Sequence, residues 1–213
     1  MKYKVFIPLY WALVAHAASA QTLTPEEVAE RYPVHGYAYN AHACYGFAPP
    51  EGWFMDAQTA KSLDVGMVFL PDGKNWDNAP LAMYTRIYKG AGEDDAARIQ
   101  AALDDLKQLY READNIEITA ERIDTLRAEH GAEGELWQLH IPLPGNALRE
   151  YVTYYPQGDS LALFVIQIGE NGDAAAGEAQ LRKLADTYHL RSTCQPCAES
   201  KSPCTEETGV NTQ

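Results

Sequence analysis

Apolar positions fall into two periods along this chain, and together they predict an antiparallel sheet flanked by helices. From Asp94 to Tyr110, Ile99, Leu103, Leu106 and Tyr110 recur at steps of four, three and four, placing them on one helical face. Glu93, Asp94 and Asp95 stand at its start, where the helix dipole favours negative charge. A second helix is predicted over 174–188, with Leu181, Leu184 and Tyr188 turned to the core. Strands are expected at 65–70 and 81–88, joined as a hairpin by the Pro71-Asp72-Gly73 turn and the loop to Pro80. Four more follow at 116–126, 135–141, 148–155 and 161–168. The last two meet across Pro156-Gln157-Gly158-Asp159-Ser160, a linker of hairpin length. Because 161–168 is apolar at nearly every position, it should be a central strand covered on both faces. Residues 37–45 and then Phe47 read as extended, and Pro49-Pro50-Glu51-Gly52 turns the chain into Trp53, a core candidate.

The two ends read differently. Lys2 and Lys4, an uncharged run over 5–14 and Ala18-Ser19-Ala20 have the form of a cleavable secretory signal, cut near Ala20. That run is about half of the roughly 20 apolar residues a spanning helix needs. Thr24-Pro25-Glu26-Glu27 then predicts a short helix start that Pro33 stops. The expected organisation is a signal peptide over 1–20, one α+β domain over 21–190, and a flexible cysteine-bearing tail over 191–213. The expected location is the periplasm or the secreted fraction.

Charge narrows the partners. The chain carries a formal net charge of −13. Loss of residues 1–20 removes two lysines and no acid, leaving 15 Lys and Arg against 30 Asp and Glu, or −15. Such a balance repels nucleic-acid phosphates and anionic lipid surfaces and favours a basic protein partner. No membrane insertion is expected.

Cys44, Cys194, Cys197 and Cys204 are an even set in a chain bound for an oxidising compartment, which reads as disulfides with three possible connectivities. The preferred arrangement bonds Cys44 to Cys194 or Cys197 and leaves the other two to close a small loop. Cys194-Gln195-Pro196-Cys197 has redox-pair spacing but follows a helix into a loose tail, the wrong context for a low-pKa thiolate. A zinc site from His189 and three cysteines would need free thiolates, against the same compartment.

Phe47-Ala48-Pro49-Pro50-Glu51-Gly52-Trp53 resembles the opening of Mog1/PsbP-like domains, and the later order of elements over 37–190 is similar to that family. The resemblance implies an αβα sandwich and a binding or accessory protein rather than an enzyme. The family includes photosystem accessory subunits, a nuclear transport factor and periplasmic immunity proteins.

No Gly-x-Ser-x-Gly, His-Glu-x-x-His, P-loop or dinucleotide motif is present, so no catalytic residue, cofactor or metal is expected. His140 should lie on a strand face opposite Trp137, Leu139 and Ile141, as a solvated or satisfied side chain rather than a catalytic base. A Cys44–His42 nucleophile is disfavoured because Phe47 and Pro49 follow where such enzymes start a helix. The hairpin loop offers Asp72, Asn75, Trp76 and Asp77 as partner-binding residues, an aromatic among acids. The same loop lacks the alternating spacing and closing glutamate of a calcium loop. Trp76 either stands out for a partner or folds back on the sheet. The expected function is a non-catalytic exported binding protein. One alternative is an immunity-type inhibitor of a secreted toxin or hydrolase. Another is an envelope enzyme, which a buried polar cluster around His140, Tyr151 or Tyr154 opening to a pocket would favour.

Overall fold

The computed structural model describes residues 36–39, 44–90, 92–143 and 146–190. The signal-peptide segment, the helix start at Thr24 and the tail with Cys194, Cys197 and Cys204 lie outside the described residues.

Seven strands form one antiparallel sheet in the order β3-β4-β5-β9-β8-β7-β6. They are β3 (Trp53–Asp56), β4 (Met67–Pro71), β5 (Leu81–Tyr88), β6 (Thr119–Arg127), β7 (Glu133–Leu143), β8 (Asn146–Gln157) and β9 (Ser160–Ile168). β9 holds the centre, as its apolar run predicts, and all but one of its residues are buried. β8 and β9 join through a two-residue turn with Gln157 opposite Ser160. Gly158 takes φ +60° at the first central position, the requirement of a type II′ hairpin turn.

Alternation along the strands sends each sheet face into its own core. On one face Leu161, Leu163 and Val165 join Leu139, Ile141, Val152 and Tyr154. Helix α2 (Asp95–Asp114) covers them with Ile99, Ala102 and Leu103, while Leu106 and Tyr110 pack half-buried beside it. On the other face Ala162, Phe164, Ile166 and Ile168 meet helix α3 (Ala174–Asp186) through Leu181, Leu184 and Ala185. That face is completed by a three-stranded sheet, β1 (Gly36–Tyr39), β2 (Cys44–Phe47) and β10 (His189–Leu190), in the order β1-β2-β10. The layers are therefore those of an αβα sandwich built on an antiparallel sheet.

The α2 start is capped as its sequence requires: the Asp94 carboxylate accepts from the Ala97 amide at 2.8 Å. Asp94→Ala is expected to destabilise the protein by about 1 kcal/mol, read from the urea midpoint at unchanged slope.

Several boundaries differ from the sequence expectation. The extended stretch at 37–45 is a hairpin, with Tyr37 opposite Gly46. The strand expected from Ile116 begins at Thr119, although Ile116 and Ile118 are buried ahead of it. The last helix stops at Asp186, and Tyr188 reaches the core from beyond its end. Helix α1 (Ala57–Ser62) follows β3 without any apolar periodicity. Asp56 creates it, accepting from the Thr59 amide at 2.9 Å and from its hydroxyl at 2.7 Å. β10 exists through tertiary pairing, and it fixes Gly46 as glycine: a Cβ there would stand 2.0 Å from the His189 ring.

Candidate functional site

The α2 face of the sheet is not fully covered. Between the second half of α2 and the α1–β4 turn, two adjoining hollows of about 510 and 220 Å³ share Leu63, Val65, Arg86, Leu106 and Leu109. Together they make one groove across β5. Its rim is apolar and open, with Leu63 36 % and Leu109 56 % exposed. Asp64, with φ 53°, bends the chain out of α1 and carries Leu63 and Val65 to the rim.

Register explains the floor. Ala82 of β5 pairs with Gln167 of β9, and Gln167 pairs with Glu150 of β8, so one cross-strand row carries an amide and an acid into an apolar face. Glu150 is 2 % exposed, and its Oε1 accepts from Gln167 Nε2 at 2.7 Å. Burial pushes its carboxyl up to about 7, against the smaller opposing effects of the Gln167 hydrogen bond and the Arg86 charge. Among the described residues no lysine, arginine or histidine forms an ion pair with it. Burial, and then the Glu150 charge, hold the Tyr84 phenol well above its ordinary value. The same two causes raise Tyr154. Arg86 is exposed and lies with its guanidinium carbon 5.5 Å from the Tyr84 ring centroid. At the far end the Tyr88 hydroxyl donates to the Asp105 carboxylate, and burial followed by that bond pushes the phenol up to about 12.

The hairpin loop supplies one wall. Trp76 folds back on the sheet, half-buried against the Val68, Leu70 and Ala82 cluster, with its ring 6.4 Å from that of Tyr84. It still lines the groove. Asp72, Asn75 and Asp77 stay at the exposed tip. The Asn75 Oδ1 accepts from the amides of Asp77 and Asn78, and the Asn78 Oδ1 accepts from the Asn75 amide. The loop's amide oxygens thus close the loop upon itself. Of the four loop residues singled out in the sequence, the structure brings only Trp76 to the groove.

The remaining candidates are dispersed. His140 is exposed on β7, opposite Arg149 and Thr119, and Tyr151 belongs to the α3-side core. Tyr154 alone of the three opens to the groove. Cys44 is buried in β2 and disulfide-bonded; the other cysteines and His42 lie outside the described residues. His189 is buried, its Nδ1 3.0 Å from the Thr187 carbonyl and its ring edge-on to Tyr37.

Glu150, Gln167, Arg86 and Leu109 were not picked out from the sequence. A signal was present for the first two. Leu148, Glu150, Val152 and Tyr154 share one strand face, as do Leu161, Leu163, Val165 and Gln167, so each polar residue interrupts an apolar row.

Chemically, the groove combines aliphatic walls, aromatic rings and one buried acid. Its lining contains no serine, cysteine or histidine. Among the described residues no group of three His, Cys, Asp or Glu could hold a metal ion, and no helix is long and apolar enough to cross a membrane.

A similar arrangement of strands and helices occurs in solved PsbP and Mog1 structures. Cyanobacterial PsbP from Synechocystis shares it at 15 % identity and a TM-score of 0.49, over 74 % of this chain and 93 % of that one. The Saccharomyces cerevisiae Ran-binding protein Mog1p shares it at 13 % identity and a TM-score of 0.45, over 68 % of this chain and 89 % of that one. No family model and no curated protein matches the chain.

Proposed function

We propose that this chain is an exported, non-catalytic binding or accessory protein that holds a basic protein partner in the α2 groove. The groove itself carries the proposal: Leu63 and Leu109 stand open at its rim, and three acids, Asp64, Asp105 and Glu150, line it against the single cation Arg86. An apolar rim with an acidic lining suits a segment that alternates apolar and basic residues, and the excess of acids over the whole chain steers such a segment toward it. With one acid buried and no serine, cysteine or histidine in the lining, binding is favoured over envelope catalysis. Export is supported by Lys2, Lys4, the apolar run and Ala18-Ser19-Ala20. The bonded state of Cys44 suits an oxidising compartment, with Cys194 or Cys197 as its proposed partner.

The test is comparative capture. Tagged protein over residues 21–213 and its Leu63→Asp/Leu109→Asp variant are exposed to envelope and secreted fractions of the source cells. One basic protein should be held by the wild type, released as salt shortens the Debye length from about 10 Å toward 3 Å, and absent from the variant. Equal retention by both proteins would remove the groove from the function. Trp76→Ala, which strips one wall, should weaken the captured partner's binding by at least about 1 kcal/mol in titration calorimetry, whereas Asn75→Ala at the tip should change it little. In the immunity-type form of the proposal the partner is a secreted toxin or hydrolase, and its activity falls as the complex forms.

A further inference from the structure

We infer that the Glu150 end of the groove is a receptor for an alkylammonium group, the side chain of a lysine in the docked segment. The inference rests on the groove reading and adds the chemistry of its deepest point. The hollow there, about 220 Å³, has room for a four-carbon stem and its ammonium head. Leu106, Leu109 and the Trp76 ring would pack the methylenes, as lysine stems pack on apolar surface elsewhere. Trp76, Tyr84 and Tyr110 line the same hollow, and their rings would add cation–π attraction for the head group. At the floor the Glu150 carboxyl is the one acid of this hollow, and the Gln167 amide fixes its orientation from the neighbouring strand.

An ammonium suits this floor better than an anion. Its positive charge would answer a buried acid that has no ion-pair partner among the described residues. A carboxylate would have to enter beside Glu150 with only exposed Arg86 to attract it. The groups facing Glu150 are Arg86 and Tyr84 from β5, Gln167 from β9, Tyr110 from α2 and Tyr154 along its own strand. Burial keeps the Tyr84 and Tyr154 phenols neutral through the range of interest, so Glu150 is the group there whose charge changes. Its carboxyl, pushed up to about 7 by burial, is largely protonated at pH 6 and largely ionised at pH 8. Binding an ammonium favours the ionised form, so affinity rises with pH over that interval, by about tenfold for a single group.

The experiment uses three five-carbon probes, n-pentylammonium, n-pentanol and n-pentanoate, titrated into the full chain over residues 21–213 and followed by Trp fluorescence and NMR shifts of the Trp76 indole. The ammonium should bind most tightly, gain about tenfold from pH 6 to pH 8, and lose at least tenfold in Glu150→Gln, while pentanol binds wild type and variant alike. Preference for pentanoate would assign the site to Arg86 and overturn the inference. Equal binding of ammonium and pentanol would overturn it too, leaving an apolar groove. If no probe binds, the ammonium receptor is refuted, and comparative capture with the Leu63→Asp/Leu109→Asp variant still decides the groove by itself.

Discussion

Replacing Phe164 by alanine is expected to lower the stability of the protein by about 4 kcal/mol, the largest loss from any single substitution considered. Phe164 is fully buried at the middle of the central strand. Its ring stands 5.4 Å from Tyr45, 5.9 Å from Tyr188, 6.2 Å from Phe47 and 6.3 Å from Tyr155, edge-on to each. Those four neighbours come from the small sheet, the segment beyond α3 and β8, so one ring ties the large sheet to the layer that covers it. Truncation removes the transfer energy of the ring and opens a cavity that the surrounding rings cannot collapse into, because Tyr155 and Tyr188 are already stacked at 4.5 Å. For a domain of this size each kcal/mol moves Tm by about 2–4 °C, giving a fall of about 8–16 °C. Phe164→Leu, which keeps most of the volume, should cost less than half as much. A Tm change under about 3 °C for the alanine variant would show that this aromatic cluster does not organise the core.

Which parts of this architecture could be read in advance follows from how local their causes are. The central strand was legible because full burial writes an apolar residue at nearly every position from Leu161 to Ile168. Helix α2 was legible because a half-buried helix must repeat its apolar residues every three or four positions. The β8–β9 hairpin was legible because Gly158 sits where a two-residue turn needs positive φ. By contrast, α1 is six residues long and owes its existence to the side chain of Asp56 rather than to periodicity. β10 is two residues long and is a strand only because β2 is there to pair with it. Neither cause leaves a pattern in its own segment.

The groove divides along the same line. Trp76 could be singled out from its neighbours, but its direction is decided by Tyr84, four residues into the next strand and on the sheet face it covers. Glu150 and Gln167 each interrupt an apolar alternation. What joins them, and brings Arg86 and Tyr84 alongside, is the register of β5, β9 and β8, a non-local quantity set by the whole sheet. An acid on a buried strand face is nonetheless a local oddity that single-strand reading can flag, and here it marks the floor of the groove.

That acid leads to the second large effect, a reversal of the usual dependence of stability on pH. Glu150 has its carboxyl raised in the folded protein from an ordinary 4.5 to about 7, chiefly by burial. Between those two values the folded state binds more protons than the unfolded state, so stability falls as pH rises through the interval. A shift of this size corresponds to about 3 kcal/mol, fully felt above pH 7 and absent below about pH 4.5. Glu150→Gln keeps the shape and can still hydrogen-bond Gln167, but carries no charge to desolvate. At pH 5 the variant and the wild type should therefore unfold at nearly the same urea concentration. At pH 8 the variant should be the more stable by about 3 kcal/mol, with the difference opening between pH 5 and pH 7.5. Unfolding curves that run parallel across this range would show that Glu150 ionises in the folded protein as freely as in the unfolded chain, which its burial on the sheet does not allow. The same substitution should remove the amine-dependent binding, so the variant would be at once more stable and less able to bind, the signature of a residue kept for a ligand at the expense of the fold.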